Sequence, residues 1–325
     1  LKISGADGEE SKMADAVTPN DAIAAIRATG GAQPGYRALH AKGTLYRGTF
    51  TATAEAASLS RAAHLSGEPV ETLVRFSNGS GNPRQRDGLP HVRGMALKFS
   101  LPDGSTTDVS AQTARVFTSS TPEGFVELLN ALRPSISTPI RLTKYLAGHR
   151  GLFKSVRANG AVTRIPASYA TLEYHALHAF RWVDASGGAR FVRYHLVPEA
   201  GEQFLALRDG LRRDADFLTD ELNERLRDQP VRFQYRVQIA GPDDSTVDPS
   251  QPWQSTQTVT AGHLDITGLD TAREHGDDIV VFDPMRVTDG IEPSDDPVLR
   301  FRTRAYSESV KLRTGVERGA EAPQL

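Results

Sequence analysis

Two runs rich in β-branched and aromatic residues, Ala176–Val183 and Ala189–Val197, flank Asp184-Ala185-Ser186-Gly187-Gly188. The central residues tolerate a tight turn and the flanking runs suit a pleated surface, so the segment reads as a β-hairpin. A hairpin commits the chain to antiparallel pairing, and its apolar face must then be covered by further strands or by helices. Other segments can supply them. Gly43–Ala54, Glu71–Asn78, Val92–Leu101, Val231–Ile239, Thr256–Leu264 and Asp278–Phe282 have strand composition, and Pro102-Asp103-Gly104 supplies a turn between sheet segments.

Helix starts are punctuated as clearly. Thr18-Pro19-Asn20-Asp21 opens a helix with Ile23 and Ile26 on its apolar face, closed by Gly30-Gly31. A short helix follows over Glu55–Leu65. Thr121-Pro122-Glu123 opens another through Leu132, stopped by Pro134, and Thr138-Pro139 opens one through Ala147. Helical pattern covers Glu202–Arg227 with a break around Asp214, and the last helix spans Pro297–Arg313. The expected class is α+β: a closed antiparallel β-barrel with inserted and appended helices. No long Pro/Gly/Ser-rich linker divides residues 1–325, which predicts a single domain, with residues 1–17 as a flexible or expression-derived lead.

Composition narrows the chemistry. With 325 residues, 38% of them hydrophobic and 24% charged, the chain can bury a substantial core. Its 38 Lys+Arg against 40 Asp+Glu leave no basic excess, so no nucleic-acid partner is expected. Cysteine is absent, which excludes disulfides, a thiolate nucleophile and cysteine-ligated zinc or iron–sulfur sites. A metal would have to use His, carboxylate or tyrosinate. No apolar stretch is long enough to cross a bilayer and no secretion pattern opens the chain, so no membrane insertion is expected and the cytoplasm is the default location. A periplasmic or secreted location stays open, because the chain starts at Leu1 and its first methionine is Met13.

On the last helix Arg302, Tyr306 and Arg313 fall at i, i+4 and i+11, near one stripe. Guanidinium groups close to a phenol favour the phenolate, the form that binds ferric iron. By periodicity alone the commoner reading is an ordinary helix with an inward tyrosine and solvated arginines. Near the other end, Arg37-Ala38-Leu39-His40-Ala41-Lys42-Gly43 precedes a strand, and a lone histidine there is more commonly a surface residue. His175 and His178 form a His-x-x-His pair with no evident acidic third ligand, which favours ordinary core or surface histidines over zinc.

Taken together these segments resemble the haem catalase family, specifically its small catalase-related peroxidase branch. Phe282–Arg313 is similar to the proximal signature, in which a GIEPS-like turn leads into an Arg-x-x-x-Tyr helix. The segment around His40 is similar to the distal signature. Val74-Arg75-Phe76-Ser77 and Arg93-Gly94-Met95-Ala96-Leu97-Lys98-Phe99 are similar to the family's VRFS and RGFAVKF strands. The resemblance runs from about Arg37 to about Arg313.

It implies haem b with Tyr306 as the axial metal ligand and Arg302 as its charge partner. It also implies propionate contacts from Arg37, Arg75 and Arg313, His40 and Ser77 as catalytic residues, and Phe125 stacking on the distal haem face. Asp283 and Glu292 read as structural.

Four departures matter. Where the family carries a distal Asn, this chain has Val109-Ser110-Ala111-Gln112, so Ala111 or, with a one-residue shift, Gln112 takes its place. His91 falls where the family usually has an Asp in the access channel. The family's NADPH-pocket motif has no counterpart between Leu142 and Ser168, and the chain stops at Leu325, so neither NADPH nor a C-terminal helical domain is expected. The implied activity is reduction of hydrogen peroxide or organic hydroperoxides by small organic electron donors, with weak catalase activity and a homodimer as the possible assembly. Competing readings are a lipid hydroperoxide isomerase or dehydratase on the same scaffold, a non-catalytic haem-binding protein, and a barrel without haem.

Overall fold

The computed structural model describes residues 17–31, 33–149, 152–271 and 280–313; of the expected lead over residues 1–17 all but Val17 lies outside them, as does the extreme C-terminus. Within this part of the chain eight strands close a ring. They are β1 (Gly43–Ala52), β2 (Val70–Asn78), β3 (Arg93–Ser100), β4 (Thr106–Gln112), β6 (Tyr174–Val183), β7 (Ala189–Pro198), β9 (Val231–Ile239) and β10 (Thr258–Leu269). Each pairs antiparallel with its neighbours in the order β6-β4-β3-β2-β1-β10-β9-β7, and β7 returns to β6. Closure removes the exposed edges of an open sheet. The β4–β6 seam is short, one pairing of Gln112 with His175, and the far end of β6 pairs instead with β11 (Ile291–Pro293). A separate short pair joins β5 (Ile165–Pro166) to β8 (Phe204–Leu205).

Alternation decides which side chains enter the barrel. On β2, Val74 and Phe76 point inward; on β3, Met95, Leu97 and Phe99 do so; on β9, Phe233, Tyr235 and Val237. Aromatic rings fill the interior. Trp182 donates its indole N–H to the Tyr194 hydroxyl at 3.0 Å, and Tyr194 stacks on Tyr235 with centroids 5.4 Å apart. Burying a polar aromatic is tolerable when its polar end finds a partner in this way.

The helices are α1 (Pro19–Gly30), α2 (Ala54–Leu59), α3 (Pro122–Leu132), α4 (Thr138–Gly148), α5 (Leu152–Ala158), α6 (Leu207–Arg212), α7 (Phe217–Asp228) and α8 (Pro297–Lys311). Several starts are those the sequence predicts. Thr18 and Asp21 form a reciprocal capping box at α1, and Thr121 caps α3. Against the outside of the barrel, α1 packs on α3 and α8 through Ala22, Ala25, Val126 and Phe301. No helix among the described residues is long and apolar enough to cross a membrane.

The structure departs from the sequence expectations in several places. The single short helix expected over 55–65 is α2 followed by a separate 3₁₀ turn at Ala63–Leu65. Helix was expected from Glu202, but residues 202–206 contain β8, and the helical pattern divides into α6 and α7 around Asp214. A strand was expected over 278–282; residues 278 and 279 lie outside the described part, and 280–282 are not paired as a strand. The nearby backbone bonds to side chains instead. Val280 accepts from Arg37, Val281 accepts from Arg286, and the Asp283 N–H donates to Asp108. Neither β4 nor α5 was expected.

Candidate active site

The parity that fills the barrel also builds the outer wall of a cavity. Arg75 and Ser77 alternate with Val74 and Phe76, Gly94 and Ala96 with Met95 and Leu97, and Ser110 and Gln112 with Val109 and Ala111. The outward members face a cavity closed by residues 37–40, α1, α3 and α8. Register makes this wall continuous, since Ser77 pairs with Gly94 and Gly94 with Gln112.

His40 sits at one side of the cavity. Its φ of +54° places it in the left-handed region, uncommon for any residue except glycine, though histidine is among the more tolerant. Ring and backbone are both held from β2: Nδ1 lies 3.0 Å from the Ser77 hydroxyl, and the Arg75 guanidinium donates to the His40 carbonyl at 3.0 Å. Two glycines make the space. A Cβ on Gly94 would lie 2.7 Å from His40 Nδ1 and 2.6 Å from Ser77 Oγ, and one on Gly43 would lie 2.6 Å from Arg75 Cζ. Burial, reinforced by Arg75, Arg302 and Arg37, pushes the His40 imidazole down to about 3. At neutral pH it therefore keeps one lone pair available to accept a proton.

Around the rim, Arg37, Arg75 and Arg313 line the same cavity. Burial lowers Arg37 well below the ordinary guanidinium range, with Arg75 and Arg313 adding repulsion; burial and Arg313 bring Arg75 to about 10. Arg37 donates to the Val280 carbonyl at 2.6 Å, and Arg75 to that of His40. Among the described residues neither of these two forms an ion pair with a carboxylate. Buried charge of one sign is costly unless an anion compensates it, so this cluster suits a ligand bearing acidic groups.

Tyr306 occupies the α8 side. The Arg302 Nε donates to its hydroxyl oxygen at 2.9 Å, a second nitrogen of the same guanidinium also donates, and that nitrogen reaches Ser110 Oγ at 2.9 Å. These bonds orient the phenol oxygen within the cavity. The helix itself is anchored: Asp296 caps it by accepting from Val298 and Leu299, and also lies 2.6 Å from His178 Nδ1 on β6. Both side chains are buried, and burial lowers the His178 imidazole although Asp296 opposes the shift. Asp283 is structural, accepting from Thr303 at 2.9 Å, and Glu292 pairs with Arg181 at the surface.

The eight residues singled out from the sequence, Arg37, His40, Arg75, Ser77, Phe125, Arg302, Tyr306 and Arg313, thus line one cavity. Arg313 does so from the turn just after α8, and the Phe125 ring lies 5.1 Å from that of Phe117. Both Ala111 and Gln112 touch the cavity, but Ala111 packs into the barrel core while Gln112 shares the outward face with Gly94. Sequence reasoning missed Gly94 as a space-maker, Ser110 as a partner of Arg302, and the His178–Asp296 contact, whose partners are 118 positions apart. The expectation of no acidic third ligand beside His175 also needs correction. His178 is drawn away to Asp296, whereas His175 meets His195 and Glu173.

Comparison with known proteins agrees with this geometry. The "Catalase" family model matches residues 34–320. The chain is 70% identical over 313 residues to a catalase-related peroxidase of Mycolicibacterium paratuberculosis, covering 96% of this chain and 100% of that protein. It is 34% identical to a catalase-related peroxidase of Synechococcus elongatus, covering 93% and 90%. In fold it is similar to catalase A from Saccharomyces cerevisiae, with a TM-score of 0.76 at 20% identity, covering 86% of this chain and 61% of that one. A barrel of matching fold, a family match over most of the chain and a relative matched along its full length agree, and the chain belongs to the catalase family, in its catalase-related peroxidase branch.

Proposed function

We propose that this chain is a haem peroxidase that reduces hydrogen peroxide or organic hydroperoxides with electrons from small organic donors. One observation carries the reading: a neutral imidazole, His40, and an arginine-bonded phenol, Tyr306, line one cavity rimmed by buried arginines. Family membership implies haem, and the cavity fits it chemically. Its arginines suit two propionates, its wall carries apolar surface from Ile26, Phe125 and Phe301, and its phenol is an iron ligand found in catalases. When bound, haem supplies the iron at which the O–O bond of a peroxide is broken and through which donor electrons return.

The protein's own groups divide the remaining work. Tyr306, held by Arg302, would ligate the iron, and Arg37, Arg75 and Arg313 would receive the propionates. Phe125 would pack against the haem. His40 takes the proton from the near peroxide oxygen and returns it to the far one, so that water or an alcohol leaves. Ser77 fixes the ring for both transfers. Each turnover consumes one peroxide, two donor electrons and two protons, giving water and either a second water or an alcohol. Ala111 or Gln112 stands in place of the family's distal Asn, and the loss of that Asn is the reason to expect only weak dismutation of hydrogen peroxide.

The test is peroxide-dependent oxidation of a phenolic dye by haem-loaded protein, with products of an organic hydroperoxide analysed alongside. The reading predicts stoichiometric alcohol and oxidised dye, both lost in His40→Ala. A rearranged product without net reduction, or no turnover by stoichiometrically loaded protein, would overturn it.

A further inference from the structure

Outside the cavity, one cluster of ligating side chains has no part in the proposed reaction. On the outer face of the β6–β7 hairpin, His175 and His195 are directly paired across the strands, so their side chains emerge on the same side. Their Nδ1 atoms lie 2.7 Å apart. Glu173, two residues before His175 and so on the same face, brings a carboxylate oxygen within 3.9 Å of His175 Nε2. One nitrogen from each ring and one Glu173 oxygen all lie within 4.8 Å of one another. We propose that Glu173, His175 and His195 form a second metal site, for a divalent first-row transition ion bound by two imidazoles and one carboxylate.

The donor set is the first argument. Imidazole nitrogen with carboxylate oxygen suits zinc, nickel, cobalt or ferrous ions, and disfavours magnesium and calcium, which take all-oxygen shells. Orientation is the second. The Gln238 amide nitrogen donates to the Ser255 carbonyl at 2.6 Å, which turns Oε1 of Gln238 towards His195 Nε2 at 3.4 Å. That arrangement assigns the His195 proton to Nε2 and leaves Nδ1 with its lone pair facing His175. A second-row hydrogen bond of this kind fixes the tautomer at metal-bound histidines.

Two further features bear on affinity. Two nitrogens about 2.05 Å from a tetrahedral zinc ion stand about 3.3 Å apart. The rings need to open by about 0.6 Å, and the Glu173 carboxylate, which lies 3.9 Å from His175 Nε2, must swing to the Nδ1 side. Arg115 opposes binding: it holds Glu173 at 3.2 Å and must yield the carboxylate. Both Arg115 and Glu173 are partly exposed, so this exchange does not require the barrel to open.

Because Gln112 pairs with His175 across the β4–β6 seam and faces the main cavity, the proposed ion would stand one strand away from that cavity's wall. The proposal does not depend on the haem reading. It is tested on the full chain, haem-loaded, by equilibrium dialysis against zinc at pH 7 with metal analysis. Wild type is expected to hold one zinc at micromolar concentration. Glu173→Gln should weaken it roughly ten-fold or more, His175→Asn with His195→Asn should abolish it, and Arg115→Met should tighten it. His263→Asn is the control that keeps it. Since Glu173 and Arg115 are partly exposed, their variants report even if the histidine pair variant does not fold. Absence of binding in wild type, or binding unchanged in Glu173→Gln and Arg115→Met, would overturn the assignment.

Discussion

The two sides of the cavity are built in opposite ways. Tyr306 stands on a regular helix, and its partner Arg302 is one turn earlier on the same helix, so the pair is nearly a local construction. His40 stands in a loop at φ +54°, and everything that holds it comes from elsewhere: Ser77 and Arg75 on β2, empty space at Gly94 on β3. A local device needs only a helix in the right place. A non-local one needs the barrel's register, because a one-residue slip would turn Ser77 inward and Phe76 out into the cavity.

The sharpest way to break this comparison is on the His40 side. His40→Ala removes the only group assigned to proton transfer, and hydroperoxide cleavage should fall roughly 10²–10⁴-fold while haem binding and its resting spectrum persist; stopped-flow mixing with peroxide measures both. Gly94→Ala should come next. Its Cβ cannot coexist with the present positions of His40 Nδ1 and Ser77 Oγ, so the His40–Ser77 bond breaks and the cleavage rate should drop roughly ten-fold or more. Ser77→Ala should match it, and an unchanged rate in both would show that the imidazole needs no fixing.

On the α8 side the expected effect is on stability. Asp296→Ala removes an N-cap, costing about 1 kcal/mol, and strips the buried His178 of its partner, which adds about 1–3 kcal/mol; urea titration should place the midpoint lower by the corresponding amount. The pH dependence of stability sharpens the picture further. His40, His64, His175, His178 and His195 all have folded values below the ordinary imidazole range. The unfolded chain then binds more protons, so stability is fully present above about pH 6.5 and is lost as pH falls towards 4 and 3, at up to about 1.4 kcal/mol per unit for each such group. A flat stability profile between pH 7 and 4.5 would contradict the buried, neutral assignment.

Legibility in the sequence follows the same division. Strands with alternating apolar residues, such as Val231–Ile239, and helices opened by Thr-Pro pairs announce themselves, because their signals are local. β4 does not: Thr106–Gln112 is mostly polar, and its Asp108 is buried only because Lys98 and Arg286, from distant positions, reach it at 2.7 and 2.6 Å. Among site residues, Tyr306, Arg302 and His40 were legible through spacing and motif resemblance. Gly94 reads as an ordinary strand glycine until the His40 ring lies against it. His175, His195 and Glu173 are adjacent only through hairpin pairing, so the turn at 184–188 was visible while the cluster it creates was not.

The most direct test of the central claim is the visible absorption spectrum of haem-loaded wild type beside Tyr306→Phe. The account predicts a high-spin ferric spectrum in wild type, with one haem per chain, altered or lost in the variant. An identical spectrum in Tyr306→Phe, or folded wild type that takes up no haem, would contradict it.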